Sequence, residues 1–201
     1  MICTSFRMVD GKVRNLGAHF ERLGLDLEQQ QMVRTQLREA ATGASNPLVR
    51  ADGQVQHRPD RPFSALIGVD PIPHLDLRTQ PTRKGPDLVW LTTRLRQSER
   101  RGFAEGLLSQ DGLVVEGIFS ALICFDSGVA EFCTHPRTLN STTLPPVLEF
   151  LRSSGLVVRP CSGWRSPKRL WLLNAFSGVR SAGGPDPTSV NRWLWDHADV
   201  V

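Results

Sequence analysis

FRMVDGKVRNLGAHFERL, residues Phe6–Leu23, changes its periodicity at a single turn. Upstream, Ile2–Val9 carries β-branched and apolar residues and reads as an extended strand. Asp10-Gly11 is a hairpin turn signal, and Lys12-Val13-Arg14 resumes the strand texture after it. Helical spacing follows, with Phe20, Leu23 and Leu27 at i, i+3 and i+7. A hairpin running directly into a helix opens an α+β fold and not an alternating βαβ array.

The reading extends outward from there. A second helix is expected over Leu27–Ala41, with Asp26 as N-cap, Gln29 as its capping-box partner and Gly43 beyond its end. Residues 44–83 are rich in Pro, Asp, Gly and Arg and hold one expected strand, Phe63–Val69. After Lys84, Pro86 suits a first helical turn, and Leu88, Leu91 and Leu95 form the apolar stripe behind it. A β-rich block comes next: Gly106–Ser109, Leu113–Glu116, Phe119–Phe125 and Val129–Cys133, punctuated by Asp111-Gly112 and Asp126-Ser127-Gly128. A helix over Leu144–Ser154 ends at Gly155, and Leu156–Arg159 is a strand. Ser166-Pro167 opens a short expected helix leading into apolar Leu170–Phe176, and Thr188–Asp196 is helical. The domain expectation is a small α/β unit with linker over 1–80 and a larger β-rich unit over 81–201, with antiparallel hairpins dominant.

Composition excludes several classes. The chain has 201 residues, 40% hydrophobic and 22% charged, ordinary values for a globular protein. Cys3, Cys124, Cys133 and Cys161 show no CxxC spacing, so neither a zinc site nor a disulfide framework is expected, and reduced cytoplasmic thiols are. His19, His57, His74, His135 and His197 show no metal-ligand spacing either. No apolar run reaches the roughly 20 residues of a membrane span, and Met1–Arg7 has no signal-peptide pattern. The net charge of +4 is scattered and not striped, which argues against nucleic acid.

Of 24 basic residues, only Lys12, Lys84 and Lys168 are lysines; the other 21 are arginines. A lysine kept under such a bias is a candidate for amine chemistry, because a guanidinium stays protonated and forms no imine. On composition alone three lysines surviving on the surface by chance is the commoner case; Lys12 follows a hairpin turn and Lys168 lies in an Arg-rich segment.

Five pieces of the chain, in order, resemble the class IV aminotransferases. Phe6–Leu23 is similar to that family's strand, DGxV turn and HxxRL helix. Lys84-Gly85-Pro86-Asp87-Leu88 resembles its lysine segment. Gly102–Leu108 followed by Asp111–Gly117 resembles its GADEALLL…DGxVxEG block. Leu139-Asn140-Ser141-Thr142-Thr143 stands where the family has LPGVT, and Trp171–Arg180 resembles its TNALRGIRPV strand.

The resemblance implies the two-domain D-amino-acid aminotransferase-like fold, here with a shortened N-terminal domain, and pyridoxal 5′-phosphate as cofactor. It implies Lys84 as the catalytic lysine and imine former, Glu116 as the carboxylate facing the ring nitrogen, and Arg22 as a phosphate ligand. A guanidinium fork matches phosphate oxygens. Ser141, Thr142 and Thr143 precede a helix start and make an anion cradle, or Thr143 is simply its N-cap. Asn174 is a further phosphate-side residue, or an asparagine satisfied by backbone, and Thr4 is a contact for the substrate.

The sequence departs from the pattern in places. Ala121 replaces the asparagine of EGSxSN, Asn140-Ser141 replace Pro-Gly, and there is no tyrosine for the cofactor's ring oxygen, which leaves Arg137 or water to serve it. Within the family, the opening segment and Asn174-Ala175 look closest to the aminodeoxychorismate lyases of folate biosynthesis, which eliminate pyruvate to give p-aminobenzoate. Branched-chain or D-amino-acid transamination is the alternative, and a non-catalytic descendant is a third. The family analogy also implies a cytoplasmic homodimer acting on an amino-acid-like small molecule, without nucleic acid or membrane.

Overall fold

The computed structural model describes residues 1–201, which form fifteen strands and five helices in four sheets. In chain order, the first part holds β1 (Cys3–Ser5), β2 (Met8–Val9), β3 (Lys12–Val13), α1 (Leu16–Leu23) and α2 (Leu27–Arg38). Short strands follow: β4 (Ala44–Ser45), β5 (Leu48–Arg50), β6 (Val55–Gln56) and β7 (His74–Leu75). The second part comprises α3 (Leu88–Arg100), β8 (Leu107–Gln110), β9 (Leu113–Gly117), β10 (Ala121–Asp126) and β11 (Val129–Cys133). It continues with α4 (Leu144–Ser153), β12 (Val157–Cys161), β13 (Leu170–Asn174), β14 (Gly178–Ala182), α5 (Thr188–Asp196) and β15 (Asp199–Val200).

Three hairpins use the same backbone solution. The turn pairs Asp10-Gly11, Asp111-Gly112 and Ser127-Gly128 all have positive φ at both residues. That is the turn whose twist matches the strands it joins, here β2–β3, β8–β9 and β10–β11. One helix start, that of α2, is as locally determined. Asp26 accepts from the Gln29 backbone N–H at 2.8 Å while Gln29 returns the bond to the Asp26 N–H at 3.1 Å, a complete capping box.

The sheets run β1-β5-β6, β15-β3-β2-β4, β7-β8-β9 and β12-β11-β10-β13-β14. Most pairings are antiparallel; β7–β8 and β11–β12 are parallel. The five-stranded sheet packs one face against α4 and α5, where Ile123, Phe125, Trp171, Leu173, Val147, Leu151 and Leu194 form a buried cluster. A second cluster joins α1 and α2 to the short strands around Phe6, Met8, Leu16 and Phe20. Ala175 and Val201 belong to it too, so the chain end closes over the beginning. Each such apolar side chain contributes roughly 1.5–3 kcal/mol on burial.

The structure corrects four local expectations. Ile2–Val9 is not one strand: β1 and β2 lie in different sheets, because Phe6 turns into the core between them. Phe63–Val69 is no strand; only Leu66 and Val69 make isolated bridges, to Ser181 and Glu105. No helix opens at Ser166-Pro167, since the chain enters β13 at Leu170 to pair with β10 and β14. The helix expected over Leu27–Ala41 stops at Arg38.

Candidate active site

One cleft collects side chains from every part of the chain. It is lined by Arg22 from α1, Arg78, Arg83 and Lys84 from the loop before α3, Glu116 from β9, Ser141–Thr143 before α4, and Asn174 from β13. Of the nine residues given a site role in the sequence, all but Thr4 and Arg137 therefore meet in one place. Thr4 does not line the cleft: it is fully buried, 2.6 Å from His19 Nδ1, and accepts from Arg22 Nη1 at 3.4 Å. It braces the guanidinium from behind and offers a ligand no surface.

Lys84 is held by a close backbone approach. Its carbonyl accepts from the Cys3 N–H at 3.1 Å, and Gly85 follows with φ +131°. A Cβ on Gly85 would collide with the Met1 carbonyl, so only glycine lets the first strand lie this near the lysine. Burial lowers the Lys84 ammonium to a pKa of about 8, with the charge of Arg22 adding to it. No carboxylate pairs with this amine: all six ion pairs of the chain use arginine.

Glu116 shows the opposite shift. Burial pushes its carboxyl up to about 7, against the pull of Arg78 and of the Leu139 N–H that donates to Oε1 at 3.1 Å. Arg78 Nη2 lies 2.8 Å from Oε2, close enough for an ion pair but outside hydrogen-bond geometry, so buried Oε2 accepts no hydrogen bond. Arg78 is fixed in turn by a bidentate pair with Asp76, both bonds 2.9 Å. Burial would raise Asp76, but the bonds from Arg78 and Arg137 bring it down to about 2.

The anion cradle is narrower than its sequence implies. Ser141 Oγ accepts from the N–H groups of Thr143 and Leu144, both at 3.2 Å, and Pro145 and Pro146 have none to give. What remains for an anion is Arg22, the side chains of Thr142 and Thr143, and the N–H groups of Ser141 and Thr142. Arg22 donates to the Asn140 carbonyl, and burial lowers its pKa to about 10. Asn174 is mainly structural. Its Oδ1 accepts from the N–H groups of Phe176 (3.1 Å) and Ser177 (2.8 Å), closing the β13–β14 turn.

Arg137 does not line the cleft; its guanidinium is spent on Asp76 and on the carbonyls of Asp76 and Arg78. Asp76 and Arg78 were not foreseen from the sequence. His74-Leu75-Asp76-Leu77-Arg78 alternates, and ordinary patterning turns its leucines inward. The structure does the reverse: Leu75 and Leu77 are 58% and 61% exposed, Asp76 and Arg78 only 3% and 6%. No group of three or more His, Cys, Asp or Glu side chains converges on a metal-sized site, and no helix is long and apolar enough to cross a membrane.

This architecture is the fold of the class IV aminotransferases, α+β with the cleft between its sheets. The chain is similar to a candidate 4-amino-4-deoxychorismate lyase at TM-score 0.77 and 18% identity, covering 98% of this chain and 91% of that one. It is similar to the branched-chain amino acid aminotransferase of Escherichia coli at TM-score 0.77 and 14% identity, covering 98% and 84%. A hypothetical aminotransferase of Mycobacterium tuberculosis, in a form with alpha-ketoglutarate and PMP bound, aligns at TM-score 0.73 and 17% identity, covering 97% and 87%. No protein-family model matches the sequence, and no curated protein does.

Proposed function

We propose that this chain is a pyridoxal 5′-phosphate-dependent enzyme acting on an amino-acid-like substrate, with Lys84 as its catalytic residue. The observation that carries the reading is the meeting in one cleft of a buried amine with no acidic partner, a buried carboxylate, and an arginine flanked by threonine side chains. The cofactor has complementary needs: an amine at its aldehyde, a carboxylate at its ring nitrogen, and cationic or hydroxyl donors at its phosphate. Lys84, Glu116, and Arg22 with Thr142 and Thr143 supply these in turn.

Bound there, pyridoxal phosphate would supply an aldehyde for the substrate amine and a ring that draws electrons from the α-carbon. The protein's part is proton handling and charge placement. Lys84, neutral in a good fraction of molecules near pH 8, accepts the α-proton and can return it. Glu116 favours positive charge at the ring nitrogen, and Arg78 helps keep that carboxylate ionised. Arg22 orients the phosphate from the end of α1.

Within this chemistry the leading reaction is elimination of pyruvate from 4-amino-4-deoxychorismate to give p-aminobenzoate. The sequence of the opening segment and the likeness to a candidate lyase support it. Transamination is the second reading, supported by an equal TM-score to a branched-chain aminotransferase. The test has two stages. Protein mixed with pyridoxal phosphate should turn yellow, and borohydride should fix the cofactor on the Lys84 peptide; a colourless protein with no adduct overturns the enzyme reading. Product analysis with aminodeoxychorismate beside L- and D-amino acids then separates lyase from transaminase.

A further inference from the structure

Behind Arg22 lies a buried polar pair that the proposed chemistry does not use. Thr4 and His19 are both 0% exposed, and Thr4 Oγ1 stands 2.6 Å from His19 Nδ1. His19 and Arg22 are at i and i+3 on α1, so both reach β1 from one face of the helix. Arg22 Nη1 donates to the same Thr4 oxygen at 3.4 Å, and Arg22 is the cation of the anion cradle.

The proton directions follow from the donor and acceptor types. A guanidinium has only protons to give, so Thr4 Oγ1 accepts from Arg22. The Thr4 hydroxyl has one proton of its own, and His19 Nδ1 is its only acceptor partner. Nδ1 therefore holds a lone pair, and the ring proton sits on Nε2. Burial, with the charges of Arg22, Lys84 and Arg14 around it, lowers the His19 pKa well below its ordinary value, so the ring stays neutral. Nε2 is buried without a partner. An apolar side chain would fill the same space against Phe6, whose ring centroid is 4.8 Å away, and would strand no donor. Packing alone gives no reason for a histidine here; the acceptor at Nδ1 does.

We infer that His19 is a positioning residue: it takes the Thr4 hydroxyl proton, turns the Thr4 lone pairs toward Arg22, and so sets the guanidinium for the cofactor phosphate. The inference rests on the cofactor reading, which assigns the phosphate to Arg22. His19 does not line the cleft and acts only through Thr4.

The test compares pyridoxal phosphate with pyridoxal, which lacks only the phosphate, in absorbance titrations of the full chain. His19→Leu should reduce the preference for the phosphorylated form about fivefold, the scale of one lost hydrogen bond, and leave pyridoxal affinity nearly unchanged. Thr4→Val should do the same, and the double variant should lose no more than either single one, because both break one relay. His19→Asn keeps an acceptor and should restore part of the preference. In the cofactor-free wild type, long-range proton–nitrogen NMR should find the His19 proton on Nε2. Equal weakening of both aldehydes, additive losses in the double variant, or a proton on Nδ1 would each overturn the inference. Failure of the cofactor reading looks different: wild-type protein then captures neither aldehyde, and the inference falls with it whatever the tautomer.

Discussion

Arg78 Nη2 stands 2.8 Å from Glu116 Oε2 and is locked there by Asp76, so a buried arginine governs the ionisation of the carboxylate at the far end of the cleft. Arg78→Met removes the charge that holds the carboxyl down, and Glu116 should then titrate above its present value of about 7. Pyridoxal phosphate affinity should fall roughly tenfold at pH 7 and recover as pH rises. Absorbance titrations at several pH values check this, with circular dichroism confirming the fold. A loss that is uniform across pH would mean that Arg78 acts only as packing.

The lysine predicts a second pH profile. Only the neutral amine attacks an aldehyde, and its pKa is lowered to about 8. Cofactor capture should therefore rise tenfold per pH unit below that value and level off above it, so the rate at pH 6 should be about one hundredth of the plateau. Stopped-flow absorbance reads the rate directly. A midpoint near 10.5, the ordinary lysine value, would show that the amine is not buried as described.

Gly85→Ala tests the approach of Met1 to the lysine loop. The new Cβ meets the Met1 carbonyl, and φ +131° is itself strained for any other residue. Stability should drop by on the order of 2 kcal/mol or more, and the Lys84 carbonyl should lose its bond from Cys3. Urea midpoints measure the first effect and the capture rate the second. A neutral outcome in both would remove the first strand from the site.

Glu116→Gln should change stability in a pH-dependent way without cofactor. The folded pKa is raised from 4.5 to about 7, so the folded state binds the proton more tightly than the unfolded chain. Wild-type stability accordingly falls as pH rises from about 4.5 to 7, and stays lower above that. Relative to wild type, Glu116→Gln should gain up to about 3 kcal/mol between pH 4.5 and pH 8. Parallel urea titrations at the two pH values give the difference. A gap that does not widen with pH argues that the carboxylate is already paid for by Arg78.

Local chemistry carried much of the fold. The paired positive-φ turns, the Asp26–Gln29 capping box and the helix over Thr188–Asp196 depend on neighbouring residues alone and are legible in one dimension. The candidate list for the site comes from the resemblance to the class IV aminotransferases, whose motifs this chain carries in order. What the sequence left undecided depends on partners far along the chain. Leu66 and Val69 have strand-like neighbours but find only single bridges, so Phe63–Val69 never becomes a strand. Asn174 could offer a phosphate its amide Nδ2, but that group donates to Ser120 Oγ at 3.2 Å while the β13–β14 turn holds its oxygen.

The sequence by itself determined the α+β class and the hairpins, and its resemblance to the class IV aminotransferases pointed to Lys84 among three lysines. Tertiary structure alone decided that Thr4 lies behind Arg22, that Asp76 and Arg78 turn inward while Leu75 and Leu77 turn out, and that Arg78 faces Glu116. The reason is physical. Periodicity records which face is usually buried, whereas a buried charge is stable only when its counter-charge arrives; Glu116 comes from 38 residues beyond Arg78, and Arg137 from 61 residues beyond Asp76.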